Sequence, residues 1–147
     1  MSRFTKLLRL PRHEQGALIE AMLCLGLARL MLLMPFRRLA PLMGQLQTGP
    51  DRSSATLRAD ERAAALAVRR ALLRVDPRLP WRSSCLVRAL AARLMVGRRR
   101  LPSVIYLGAR GDAATQLFAH AWLRCGEIDV VGAEIAEEYT PIAAFRA

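Results

Sequence analysis

The chain predicts an α+β fold, with a run of helices followed by a small antiparallel sheet. Three observations predict it. Apolar residues recur at helical spacing in three segments ahead of residue 97. At Pro102 the period changes, and Pro102-Ser-Val-Ile-Tyr-Leu-Gly108 is a short β-rich run. Two further runs, 117–124 and 127–131, flank Cys125-Gly126, which suits a hairpin turn. Helices first and strands afterwards is the α+β order. With 147 residues and a hydrophobic fraction of 53%, the chain has material for one compact domain.

Each element has its local cause. Residues 1–12 are basic, and Pro11 ends any early turn. A long helix is expected from His13 to Met34, with Glu14 and Glu20 in its first turns and Arg37 and Arg38 just beyond its end, as the helix dipole favours. Pro35 and Pro41 bound a short piece that turns back on it. Residues 44–55, rich in Gly, Pro and Ser, are linker-like. The chain therefore divides into a helical N-terminal extension, 1–50, and a chemical domain, 51–147. A second helix is expected from Leu57 to Val75, packing through Leu66, Leu72, Leu73 and the alanines between them. Asp76-Pro77-Arg78-Leu79-Pro80 breaks it and holds the chain extended up to Trp81. Ser83 or Ser84 caps a third helix that carries Cys85 at its head, runs to Met95 and ends at Gly97. Arg110-Gly111-Asp112 reads as a turn.

Composition narrows the function classes. Three cysteines (24, 85 and 125) without CxxC or Cys/His spacing suit neither a disulfide framework nor a zinc site, so no metal or cofactor is expected. A reducing cytoplasm fits such thiols. The net charge of +11 comes mostly from scattered arginines and is accompanied by no nucleic-acid-binding motif, so a nucleic-acid partner is not expected. The apolar segment Ala17–Phe36 is long enough to span a bilayer, but Glu20 and Arg29 interrupt it. A buried or interfacial helix is expected there, which leaves room for peripheral membrane association without a span. Met22, Met31, Met34 and Met43 form a stripe that reads as core filling, with an adaptable docking face as the alternative.

The chemistry rests on Cys85 and His120. A cysteine at a helix N-terminus sits among unpaired backbone N–H groups and the positive end of the dipole, which favours the thiolate. In the run 117–124, alternation puts Phe118, His120 and Trp122 on one face and Leu117, Ala119, Ala121 and Leu123 on the other. A helix start carrying Cys85 is expected opposite the imidazole, which can take the thiol proton and return it to a leaving amine. Asp129, on the strand after the hairpin, is the expected carboxylate to orient His120, provided register turns it inward. A backbone carbonyl in that role, or a dyad, is the alternative. Trp81 and Trp122 wall the site or simply pack. Cys24 is structural, and Cys125 is a turn residue with no base at suitable spacing.

Three stretches carry a family resemblance: Leu79-Pro80-Trp81-Arg82-Ser83-Ser84-Cys85-Leu86-Val87-Arg88-Ala89-Leu90, then Ile105-Tyr106-Leu107-Gly108, then Ala119-His120-Ala121-Trp122-Leu123. Together with Glu138-Tyr139-Thr140-Pro141-Ile142, they resemble the transglutaminase-like leader peptidases of lasso-peptide biosynthesis. The resemblance is strongest over 57–142 and implies a papain/transglutaminase-like core, in which a helix bearing the cysteine packs on a sheet bearing the histidine. It implies a cysteine endopeptidase, a hydrolase that cuts the leader from a ribosomally made precursor peptide. A macrolactam synthetase then closes the ring. The chain is similar to the split form, whose leader-recognition partner is a separate protein. Mapped onto this sequence, Cys85 is the nucleophile and His120 the base, then acid. Family members often carry an aspartate near the position of Gly132, where this chain offers Asp129 and Glu134 on either side. A transglutaminase-like acyltransferase and a non-catalytic precursor-binding module are the alternatives.

Overall fold

The computed structural model describes residues 9–48, 55–112, 114 and 116–147. Helix α1 (Arg12–Met31) starts behind Pro11, whose carbonyl accepts from the N–H groups of Glu14 and Gln15. It buries Leu18, Ala21, Leu25 and Ala28 at helical spacing. Helix α2 (Phe36–Met43) begins after Pro35 and keeps Pro41 inside it, where a stop was expected. The boundary drawn between 50 and 51 lies outside the described residues. Helix α3 (Ala59–Val75) opens on a bond from the Arg58 N–H to Glu61 Oε2, 2.9 Å. Its buried stripe is Ala65, Val68, Ala71 and Leu72, whereas Leu73 faces solvent and Leu66 is half-buried. The small alanines let this face lie close to its neighbours, so the larger Leu73 falls on the outer side.

Helix α4 (Cys85–Arg98) is capped by Ser84, whose Oγ accepts from the Val87 N–H at 3.3 Å. It runs through Gly97 and ends at Arg98, one residue later than expected. Arg100 takes the left-handed position, φ 54, and the N–H groups of Arg100 and Leu101 close on Gly97 and Val96. Capping geometry here falls to an arginine, so the glycine signal misplaced the end.

The sheet has five antiparallel strands: β1 (Gln45–Leu46), β2 (Val104–Asp112), β3 (Gln116–Cys125), β4 (Ile128–Val131) and β5 (Thr140–Arg146). Their order is β1-β5-β2-β3-β4. Arg110-Gly111-Asp112 is not a turn but the end of β2, paired with Gln116–Phe118. Asp112 Oδ1 accepts from the Ala114 N–H at 3.0 Å, an Asx turn. β4 pairs only with Leu123–Cys125, so the outer edge of Gln116–Trp122 has no strand partner among the described residues. Short 3-10 helices span Asp76–Arg78 and Ala133–Glu138, of one and two turns.

The two faces of the sheet differ. Ile105, Ala121, Leu123, Cys125 and Phe145 join the buried faces of α1, α3 and α4 in one core. Val104, Tyr106 and Trp122 form a second, smaller cluster on the opposite face, covered by Ala136, Tyr139 and Ala144. Arg93, buried in α4, donates to Ser103 O, Ser103 Oγ and Phe145 O, which ties the helix to both β2 and β5. Met43 is fully buried, Met31 and Met34 are half-buried and Met22 is exposed, so the methionines make no continuous face. Among the described residues no helix is long and apolar enough to cross a membrane.

Candidate active site

His120 lies on β3 with its side chain on the smaller, aromatic face. Alternation decides this, because Ala121 and Leu123 point into the helix-side core. The imidazole stacks between Trp122 and Tyr139, with ring centroids at 5.9 and 5.0 Å. Gly108 is its register partner on β2. A Cβ at Gly108 would come within 2.8 Å of the Trp122 ring and 2.9 Å of Tyr139 Cβ, so only glycine admits this packing.

The imidazole is anchored at one end. Its Nε2 lies 2.6 Å from the carbonyl oxygen of Gly132. A carbonyl only accepts, so Nε2 carries the hydrogen and Nδ1 is left as the basic nitrogen. Gly132 reaches this place through a left-handed turn, φ 79, at the end of β4. A Cβ there would meet Ala121 O at 2.6 Å. The turn that carries the chain around the sheet edge is therefore also the turn that holds the histidine.

Asp129 does not take that part. Its carboxylate Oδ1 stands 2.8 Å from Arg124 Nε, its partner in the β3–β4 register, and its backbone carbonyl accepts from Arg69 Nη1 at 2.9 Å. A register shift between Leu123 and Arg124 sets this pairing. The orienting group brought to His120 is the Gly132 carbonyl. Glu134, the other acid considered, is exposed in the 3-10 helix that follows.

Cys85 is the first residue of α4 and is half-buried at the margin of the helix-side core. Helix geometry leaves the first N–H groups of α4 without intrahelical partners around the thiol. Arg88, one turn along, lines a cleft together with Asp76, Val131, Gly132 and Glu134. Cys85 packs against the helix-side core while the His120 ring stacks on the aromatic face, so the structure does not set the thiol opposite the imidazole as expected. No hydrogen bond joins Cys85 to His120, whose described partner is Gly132. Arg88 is held by Asp76, with Nε 2.9 Å from Oδ2.

The approach to Cys85 carries two buried polar atoms. Trp81 Nε1 and Ser83 Oγ have no hydrogen-bond partner among the described residues. The Trp81 ring lies under the Arg29 guanidinium, 5.8 Å away, rather than beside His120. Of the two tryptophans, only Trp122 touches the imidazole. The remaining thiols are suppressed. Burial pushes Cys24 up, with Glu20 adding to the effect, and burial pushes Cys125 up to about 11. Among the described residues no cluster of three or more His, Cys, Asp or Glu side chains could hold a metal.

The family model described as Transglutaminase-like superfamily matches residues 23–144, from within α1 to within β5. No curated relative and no solved structure matches the chain significantly.

Proposed function

The chain belongs to the transglutaminase-like superfamily, and from that premise we propose that it is a cysteine endopeptidase that removes the leader of a ribosomally made lasso-peptide precursor. It acts with a separate leader-binding protein and a macrolactam synthetase, in a reducing cytoplasm. The observation that carries the reading is the anchored imidazole. His120 is held by Nε2 with Nδ1 left basic, on a strand with an open edge. An open strand edge offers backbone donors and acceptors to an extended peptide, which suits a linear leader better than a folded protein.

The residues then have these roles. His120 Nδ1 takes the proton of the Cys85 thiol, and Sγ attacks the scissile carbonyl carbon. The Cys85 N–H, and the unpaired Trp81 indole as second donor, receive the oxyanion. The tetrahedral intermediate collapses when Nδ1–H passes its proton to the leaving amine, and a thioester to Sγ remains. Water, deprotonated by the same nitrogen, hydrolyses it and restores the thiol. The thiol and imidazole are unbonded in the resting structure. On this reading, substrate binding brings the thiol and the imidazole together from the different faces of the sheet on which the resting structure holds them.

The test is mass spectrometry of a precursor incubated with the full chain and its leader-binding partner. Leader and core released as two hydrolysed fragments support the reading. A leader joined to an added amine assigns acyl transfer instead, and an intact precursor held in complex assigns a binding module.

A further inference from the structure

Helix α1 is apolar nearly all round, yet among the described residues only one side of it is covered. Leu18, Ala21, Leu25 and Ala28 face the core, whereas Ile19, Leu23, Leu27 and Leu30 recur at helical spacing on the opposite, solvent side. Leu23 is 67% exposed and Leu30 62%, and Leu33 in the turn that follows is 83% exposed. A helix hydrophobic on both sides ordinarily has both sides buried.

The charges around this helix are one-sided. Through residue 48 the sequence carries Arg3, Lys6, Arg9, Arg12, Arg29, Arg37 and Arg38 against only Glu14 and Glu20. Both acids are already neutralised from the core side. Glu14 pairs with Arg74, and Glu20 with Arg98 and Arg99. Arg37 and Arg38 are exposed in the first turn of α2, with no ion pair among the described residues. The outward surface is therefore aliphatic with a cationic border.

We infer that this face of α1 docks on an anionic lipid surface, with Ile19, Leu23, Leu27 and Leu30 set into the headgroup boundary and Arg37 and Arg38 against lipid phosphates. Charge complementarity selects this occupant. A second copy would set the same arginines against one another. The outer row is aliphatic and lacks the Tyr and Trp anchors that dominate protein interfaces, whereas a bilayer needs only apolar depth and negative charge. The inference is independent of the reading of the active site.

The test is co-sedimentation of the full chain with vesicles of phosphatidylcholine alone or mixed with phosphatidylglycerol, at low and high salt. The chain is expected in the pellet with the anionic vesicles and to be released by salt. Arg37→Gln/Arg38→Gln should weaken that binding by roughly tenfold or more, since each cation near such a surface contributes ~1 kcal/mol. Leu23→Ser/Leu27→Ser/Leu30→Ser should stay in the supernatant with an unchanged circular dichroism spectrum. Leu33→Ser, in the exposed turn, should weaken binding by itself without touching the core. Three results would overturn the inference: wild-type chain left in the supernatant with both vesicles, pelleting that the leucine variants do not reduce, or light scattering that shows a dimer which the triple variant dissolves.

Discussion

At the residue scale the site turns on three positions. Cys85→Ala removes one small group at the head of α4 and is expected to abolish cleavage with the melting temperature unchanged. Retained cleavage by the folded variant would assign the nucleophile elsewhere. Gly132→Ala and Asp129→Asn separate the two candidate orienting groups. The alanine methyl would collide with Ala121 O and force the left-handed turn, moving the carbonyl off His120 Nε2. Turnover is expected to fall by about a hundredfold, a typical scale for loss of acid–base help. Asp129→Asn loses only an exposed pair with Arg124, worth ~0–1 kcal/mol, and is expected to keep most of its activity. The reverse ranking in a peptide-cleavage assay would restore Asp129 to the site. The places of Cys85 at the head of α4 and of His120 on β3 were legible from the capping serines and the strand alternation. Gly132 was not, because its contribution is a backbone carbonyl whose aim depends on one turn. The pairing of Asp129 with Arg124 was not legible either, because it depends on a register shift beyond Leu123 that strand alternation alone does not reveal.

At the element scale, α4 is held to the sheet by a buried cation. Burial lowers the Arg93 pKa to about 10, still well above neutrality, so the guanidinium remains charged while bonding only to Ser103 and Phe145. Arg93→Met keeps the bulk of the stem but leaves these acceptors unpaired. The expected loss is on the order of 3 kcal/mol, read as a lower urea midpoint. An unchanged midpoint would show that the neighbouring backbone finds other partners. The helices were legible from apolar spacing, with errors confined to their ends and to the choice of Leu73 over Val68. β5 was not recognised as a strand. Its run Thr140-Pro-Ile-Ala-Ala-Phe-Arg146 opens with a proline and alternates weakly, and its strand character comes from the neighbours on both sides.

At the scale of the whole molecule, one core joins α1 to the sheet, and the three thiols report on its integrity. At neutral pH an alkylating reagent is expected to modify Cys85 alone in the folded chain and all three cysteines in urea. Modification of Cys24 or Cys125 at the Cys85 rate would show that the core opens locally. The Cys125 thiol also gives the stability a pH dependence. Its proton is held up to about 11 in the folded state, against ~8.5 for a free thiol. Its contribution is therefore complete below the unfolded value and is lost as pH rises through the folded one. The melting temperature is expected to decline between these values, and Cys125→Ala should make the decline shallower. An identical slope in that variant would assign the loss to other groups.

The place of β5 between β1 and β2 also sets a schedule for synthesis. Gln45 pairs with Arg146, so the strand that joins the two ends of the sheet is translated about 100 residues after its first partner, a delay of ~5–20 s at ordinary elongation rates. For that interval the helices and the β2–β3 hairpin are present without the strand that closes their sheet. A nascent chain stalled before Thr140 should therefore be a far better chaperone client and protease substrate than one released with β5 in place.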